Sequence, residues 1–132
     1  MLASPLLLLV EDEPLIRVSV ADALTDGGYD VREAETADEA LALLDSDLNF
    51  LGLITDVRLR TESGWNLARH ARHVSASMAV IYMTGDSAAD WAAEGVPNSM
   101  LLQKPFATAQ MTTAISTLLN AAEIASASPG AD

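Results

Sequence analysis

Five short candidate strands, most of them apolar and each followed by a segment with helical periodicity, constrain the fold of this 132-residue chain more than any other feature. The first, at residues 6–10, reads "LLLLV" and is continuously apolar, as expected of a strand buried on both faces. The others lie at residues 29–34, 50–55, 79–83 and 100–102. Strands that alternate with helices predict an α/β fold with a parallel sheet and helices on both of its faces.

Start and stop signals place the helices between these strands. Pro14 suits the first turn of a helix, and Gly27 and Gly28 end it. Thr36 and Glu39 have the spacing of a capping box at the start of the second helix. We expect Ser63 and Asp86 to cap the next two helices, and the last helix is marked by Met111, Ile115, Leu118 and Ala122.

Composition narrows the possible partners and compartments. A formal net charge of -12 and a pI near 4.2 argue against nucleic acid or an anionic membrane, because either requires a basic surface. The chain has no cysteine, which excludes disulfides and thiolate metal sites. The apolar N-terminal stretch is too short to span a bilayer and has no basic leader. We therefore predict a cytoplasmic protein.

The basic residues are unevenly distributed. Of seven Lys and Arg, four fall between positions 58 and 72, with two histidines beside them. This region either faces an acidic partner or is an ordinary solvated helix face. We expect both histidines on the surface, as neither metal ligands nor phosphohistidines. The residues are Arg58, Arg60, Arg69, Arg72, His70 and His73.

Charged or hydroxyl-bearing residues stand at the carboxyl ends of four of the predicted strands. In an open parallel sheet, ligands bind outside the carboxyl ends of the strands. Glu11 and Asp12 follow the first strand, Asp56 the third, Thr84 the fourth, and Lys104 comes shortly after the fifth. In the flavodoxin-like strand order 2-1-3-4-5, the first and third strands are neighbours, which would bring the three acids together.

Two interpretations of the clustered acids remain open from the residues alone. They could simply favour a helix N-terminus, the role we expect for Glu13. Alternatively, Glu11, Asp12 and Asp56 bind a hard divalent cation such as Mg²⁺ or Mn²⁺, which removes their mutual repulsion. Beside such a cation, the Asp56 carboxylate could attack phosphorus and form an aspartyl phosphate.

Other residues would complete that phosphoryl site. The Lys104 ammonium and the Thr84 hydroxyl could hold oxygens of the transferring group. Gly85 leaves room for that group, and Asp86 follows it in the same loop. Pro105 permits a cis peptide bond after Lys104.

The four motifs "LLLLVEDE", "LITDVRLRTESGW", "VIYMTGD" and "LLQKPF" together resemble the receiver domains of two-component response regulators, from residue 5 to about 122. The resemblance implies that Asp56 is the phosphoacceptor and that Thr84 and Lys104 assist it. It also implies that the metal ligands are Glu11, Asp12, Asp56 and the backbone carbonyl of Arg58. The phosphoryl donor would be a phosphohistidine on a histidine kinase or a histidine phosphotransfer protein.

Three positions depart from the family pattern. Arg60 stands where the family usually has proline, and Ser63 where it often has aspartate. Leu101 replaces a Tyr or Phe that usually turns inward when the threonine hydroxyl moves. Output would then depend on the loop that holds Thr84, or on Trp91 and its helix. Trp91, Met100 and Met111 are candidates for the family's usual contact surface.

A smaller hypothesis concerns Arg58 and Asp86, which lie two positions past Asp56 and Thr84. Their side chains could meet over the mouth of the site. The pair would then hinder the access of water to the phosphoryl group on Asp56 and lengthen the lifetime of that group. Because a solvent-exposed ion pair contributes little stability, the effect should be kinetic.

We therefore predict a single-domain receiver at residues 1–122, with a short disordered tail at 123–132 and no output domain. It would signal by protein contact or act as a phosphate sink, and would catalyse only its own phosphorylation and dephosphorylation. The alternatives are a receiver fragment of a hybrid histidine kinase and a pseudo-receiver that works without phosphorylation. A dehalogenase-type phosphatase is disfavoured because "VEDEP" lacks the D-x-D pair.

Overall fold

The computed structural model describes residues 4–127, and its centre is a sheet of five parallel strands. These are β1 (Leu6–Val10), β2 (Asp30–Ala34), β3 (Gly52–Asp56), β4 (Ala79–Thr84) and β5 (Met100–Gln103). Their order across the sheet is β2-β1-β3-β4-β5, which confirms the predicted topology. Because every neighbouring pair is parallel, all carboxyl ends lie at one edge.

The central strands differ from their predicted limits in a way that matters for the site. All residues of β3 and β4 are buried. The third strand starts at Gly52 rather than at Phe50, which is a buried residue of the preceding connection. Asp56 and Thr84 are the last residues of their strands, so ladder pairing fixes the backbone of both.

Within residues 4–127, four helices connect successive strands and a fifth follows β5. They are α1 (Pro14–Asp26), α2 (Ala37–Leu44), α3 (Gly64–Val74), α4 (Trp91–Glu94) and α5 (Thr108–Ala127), with one 3₁₀ turn (Ala88–Asp90) before α4. One hydrophobic cluster joins α1 and α5 to the sheet, and a second joins α2 and α3 to its other face. Burial on both faces explains why β1 and β4 are almost entirely apolar, whereas β2 lies at the edge of the sheet and carries three charged residues.

The helix signals found in the sequence are largely confirmed. The Thr36 hydroxyl accepts the N–H of Glu39 at 3.1 Å, and the Ser63 hydroxyl accepts the N–H of Asn66 at 3.1 Å. The chain leaves α1 through Gly28, whose φ of 97° lies in the left-handed region that glycine adopts without strain.

The predicted cap at Asp86 is wrong. The helical segment begins only after Ser87, as the 3₁₀ turn, and α4 is a single turn that buries none of its residues. The Thr84 hydroxyl accepts the N–H of Ser87 at 2.8 Å, so Ser87 belongs to the loop, and neither helical turn after it has a side-chain cap. The Asp86 carboxylate instead accepts the Ser87 hydroxyl at 3.0 Å.

The last helix continues past residue 122, the expected end of the domain, to Ala127. Residues 123–127, expected to belong to a disordered tail, are therefore helical, and the rest of that tail lies outside the described residues. Within residues 4–127, no helix combines the length and hydrophobicity needed to cross a membrane.

Candidate functional site

The polar residues singled out in the sequence do meet at the carboxyl edge of the sheet. Glu11 and Asp12 continue from β1, Asp56 ends β3 and Thr84 ends β4. Lys104 follows β5, and its backbone N–H donates to the Thr84 carbonyl at 2.7 Å. β1 lies between β2 and β3, so the loop after β1 lies beside the end of β3.

Three carboxylates form the centre of this edge. Glu11, Asp12 and Asp56 each offer an oxygen atom, and these oxygens lie within 4.8 Å of one another. Glu11 is fully buried and Asp56 is 8% exposed, whereas Asp12 is half-buried. A set of only carboxylate oxygens suits a hard cation such as Mg²⁺ or Mn²⁺ better than a softer metal. The residues present therefore fit the metal that the resemblance implies.

Lys104 links two of the three acids. Its ammonium donates to Glu11 Oε1 at 2.7 Å and to Asp56 Oδ2 at 3.2 Å. Burial raises the pKa of Glu11 to about 7, although the Lys104 hydrogen bond opposes the rise and the Asp56 charge adds to it. Burial by itself lowers the pKa of Lys104, but the two acids outweigh it and the pKa is raised. Lys104 is therefore a firmly charged cation.

The second oxygen of Asp56 is held by the loop that follows it. Asp56 Oδ1 accepts the backbone N–H of Arg58 at 3.3 Å. That loop is closed at its base, because the Gly64 N–H donates to the Val57 carbonyl at 2.8 Å and Arg58 forms a bridge with Ser63. That the Arg58 carbonyl binds a metal stays a prediction.

Thr84 is fixed in the wall of the site. Its side chain is almost fully buried, and its hydroxyl oxygen accepts the backbone N–H groups of Asp86 at 3.3 Å and Ser87 at 2.8 Å. Within residues 4–127 the hydroxyl makes only these two hydrogen bonds, both as acceptor, so its single proton is free for an incoming oxygen atom. A Cβ built on Gly85 would meet nothing within 4 Å, which leaves open space beside Thr84.

Two sequence expectations about neighbouring groups are confirmed. The Lys104–Pro105 peptide bond is cis. Arg58 Nη2 lies 2.9 Å from Asp86 Oδ2, so the two side chains meet as proposed. The Arg58 side chain is 73% exposed and the Asp86 side chain 54%. The kinetic effect expected of this pair stays a prediction.

The basic region is not a free positive surface within the described chain. Arg69 pairs with Glu94, and Arg72 donates to the carbonyls of Met78 and Pro97. The His70 ring pairs with Asp45 on the surface, away from the carboxylates. These basic side chains fasten α3 to its neighbours, which favours the plainer interpretation of the pattern.

The candidates for the contact surface separate into two groups. Trp91 is 37% exposed, and its indole N–H donates to the Ser99 hydroxyl at 3.0 Å. Met100 is half-buried. Met111 is fully buried in the cluster beneath α1 and α5, so it cannot contribute to a contact surface. Helical spacing alone could not distinguish these cases, because it does not say which face meets the sheet.

The sequence revealed neither the role of Arg17 nor the position of Arg60 beside Asp12. Arg17 in α1 donates to the Glu11 carbonyl at 3.0 Å and pairs with Glu33 and Glu35. Arg60 Nε lies 3.9 Å from Asp12 Oδ2, but 83% of its side chain is exposed. The available signal was that Arg17 is a lone cation in the first turns of α1, where side chains point back towards the N-terminus.

A family model for the response regulator receiver domain matches residues 7–116. The chain belongs to this family. A response regulator receiver protein from Sinorhizobium medicae WSM419 shares 37% identity over 92% of this chain and 99% of its own, with a TM-score of 0.89. The chemotaxis response regulator CheY4 of Vibrio cholerae shares 25% identity over 87% of this chain and 98% of its own, with a TM-score of 0.78.

A kinase also contains a similar domain. The sensor kinase CckA of Brucella abortus (strain 2308) is 32% identical over 124 residues, which are 88% of this chain but 13% of the kinase. The receiver chain therefore corresponds to a small part of that relative's length. Receiver domains are signalling domains of two-component systems, and the chain shares their fold and the acidic pocket in which they bind Mg²⁺.

Proposed function

We propose that Asp56 accepts a phosphoryl group from a phosphohistidine in a reaction that depends on Mg²⁺ or Mn²⁺. The observation that carries this proposal is the Lys104 ammonium between the Glu11 and Asp56 carboxylates, at the open edge of a receiver sheet. The donor would be a histidine kinase or a histidine phosphotransfer protein, as receiver domains interact with these classes.

In the transfer, an oxygen of the Asp56 carboxylate attacks the phosphorus atom. The P–N bond to the donor imidazole breaks, the electron pair leaves with the imidazole nitrogen, and an acyl phosphate forms on Asp56. The bound cation supplies positive charge that offsets the repulsion between the acids and the incoming group. Glu11, Asp12, Asp56 and the Arg58 carbonyl would hold it.

The remaining residues neutralise charge on the transferring group. Lys104 lies 3.2 Å from Asp56 Oδ2, close enough for its ammonium to donate to an oxygen of a phosphoryl group on that carboxylate. Thr84 would donate its unused proton to another oxygen. Gly85 leaves the space for the group, and Asp86 and Pro105 border it as accessory positions.

The output of the domain would follow from the Thr84 contact. When the hydroxyl turns towards a phosphoryl oxygen, the backbone N–H groups of Asp86 and Ser87 lose or weaken their acceptor. Neither the 3₁₀ turn nor α4 buries a residue, so little packing holds this segment in place. The segment would then change its position against the rest of the domain. The sequence predicts a single-domain regulator that either signals by protein contact or acts as a phosphate sink, and this stays a prediction.

Intact mass spectrometry after incubation with a small phosphodonor tests this function. We expect one added phosphoryl group with Mg²⁺, none in EDTA, and none in Asp56→Asn. Asp45→Asn is the matched control, because that aspartate lies on the surface at the end of α2 and should leave modification intact. If no adduct forms and beryllofluoride does not bind either, the phosphoacceptor role is wrong and the pseudo-receiver is favoured.

A further inference from the structure

Arg17 fastens the backbone of the acidic loop from a position outside the carboxylate cluster. Its side chain is only 14% exposed, and its Nη1 donates to the Glu11 backbone carbonyl at 3.0 Å. Its Nε lies 3.3 Å from Glu33 Oε1 and its Nη2 lies 3.2 Å from Glu35 Oε1. One planar guanidinium therefore makes three contacts in fixed relative directions, which suits its rigid fork of donors.

The same end of β2 holds the other polar group of the Glu11 backbone. The Glu11 N–H donates at 3.1 Å to the carbonyl of Ala34, the residue between the two glutamates that hold Arg17. Both the N–H and the C=O of Glu11 are thus fixed to β2, one directly and one through Arg17. The backbone at Glu11 has little freedom to rotate.

This arrangement determines where Asp12 points. The Glu11 carbonyl and the Asp12 N–H belong to one planar peptide unit, so a fixed carbonyl also fixes the bond that leads to the Asp12 Cα. Lys104 neutralises Glu11 and Asp56 directly, but the cation paired with Asp12 is Arg60, at 3.9 Å and mostly exposed. Asp12 therefore depends on its backbone to stay beside two other carboxylates that repel it.

We propose that Arg17 is a positioning residue for the divalent cation site and sets its affinity through the Glu11–Asp12 peptide. This inference rests on the proposed function, because it takes the three carboxylates as the ligands. Residues that orient metal ligands commonly contribute about 10- to 100-fold to metal affinity. Loss of Arg17 should weaken Mg²⁺ binding by that order.

The sign of the effect separates positioning from simple electrostatics. Arg17 is a cation near a cation site, so removal of its charge alone would strengthen Mg²⁺ binding. Positioning predicts the opposite. Arg17→Lys tests the same point at constant charge, because a single ammonium cannot make all three contacts in the geometry of the fork.

The experiment is a direct Mg²⁺ titration of metal-free protein by calorimetry, with thermal unfolding as a check that each variant is folded. We expect Arg17→Met to raise the dissociation constant about 10- to 100-fold and Arg17→Lys to raise it by a smaller factor. Arg32→Met is the matched control, since it removes an exposed charge from β2 and should leave affinity within about twofold. The amide NMR signals of Asp12 and Glu13 should shift in Arg17→Met without metal.

A second measurement uses phosphorylation at increasing Mg²⁺. The Arg17 variants should need more Mg²⁺ for half-maximal rate yet approach the wild-type rate at saturation. The inference would be overturned if folded Arg17→Met bound Mg²⁺ as tightly as the wild type or more tightly. If Arg17→Met does not fold, the same result in Arg17→Lys would overturn it. If the wild-type protein itself binds no Mg²⁺, the metal part of the proposed function fails instead.

Discussion

The replacement of Gly64 by alanine tests the tight loop behind Asp56. A Cβ built at position 64 would overlap the backbone carbonyl oxygen of Asp56 and lie 3.0 Å from both the Asp56 carbonyl carbon and the Val57 Cα. All three neighbours are backbone atoms at the end of the buried strand β3, so none can move aside by changing rotamer. Relief requires a shift of α3 away from the strand, against the Gly64–Val57 hydrogen bond.

The cost should fall towards the upper end of the range for overpacked interiors, about 3 kcal/mol. Alanine also restricts the unfolded chain, which returns about 0.5 kcal/mol. We therefore expect Gly64→Ala to lower the free energy of unfolding by about 2–3 kcal/mol and the melting temperature by roughly 10 °C. Urea titration and thermal unfolding followed by circular dichroism would measure both.

Gly85→Ala is the matched control, because a Cβ there meets nothing within 4 Å. It should destabilise the protein by no more than about 0.5 kcal/mol. If Gly64→Ala unfolds within about 0.5 kcal/mol of the wild type, the loop accommodates the extra methyl group and the predicted overlap with β3 does not exist. Gly85→Ala should still slow phosphorylation, since its methyl group would occupy the space proposed for the phosphoryl group.

Three further predictions concern other groups. In metal-free protein, the pKa of Glu11 rises from 4.5 to about 7 on folding, so the native state binds the extra proton and the free energy of unfolding should fall by roughly 3 kcal/mol as the pH rises through that window. Urea titrations in EDTA should show this slope in the wild type but not in Glu11→Gln, and equal slopes would assign the proton to another group. Arg58→Ala should leave stability nearly unchanged but accelerate loss of the phosphoryl group, measured by intact mass over time, because it breaks the exposed pair with Asp86; an unchanged lifetime would end that hypothesis. Tyr82→Phe should lower the free energy of unfolding by about 1–2 kcal/mol in urea, because the buried N–H of Val96 loses its acceptor, and a loss below about 0.5 kcal/mol would mean that water replaces the hydroxyl.

Tyr82 lies beside Leu101, the position at which the family usually has an aromatic residue. The two residues are partners in the ladder between β4 and β5, and the Tyr82 ring packs against Trp65 with centroids 4.5 Å apart. The sequence identified the missing aromatic residue on β5. It could not show that a buried tyrosine on the neighbouring strand holds the chain just after α4, because strand register depends on the assembled sheet.

Local signals predicted local structure well. Pro14, the glycines after α1 and the hydroxyls at Thr36 and Ser63 act within a few residues, and all are found in their predicted places. Asp86 failed as a cap because its carboxylate is engaged by the Ser87 hydroxyl and by Arg58, while the Thr84 hydroxyl holds the N–H of Ser87. That competition depends on the side-chain direction of a strand end, which periodicity does not encode.

The sequence by itself determined the alternation of strands and helices and the short list of polar residues at the strand ends. Continuous apolar segments identify the buried strands β1 and β4, and parallel strands bring their carboxyl ends to one edge whatever the details of packing. Only the tertiary structure decided how those residues interact: Lys104 meets Glu11 across 93 positions, and Arg17 joins the acidic loop to the end of β2. The physical reason is the distance along the sequence over which each kind of interaction acts. Hydrogen bonds in turns and caps are local in sequence, whereas burial and Coulomb interactions depend on which distant segments the sheet places side by side.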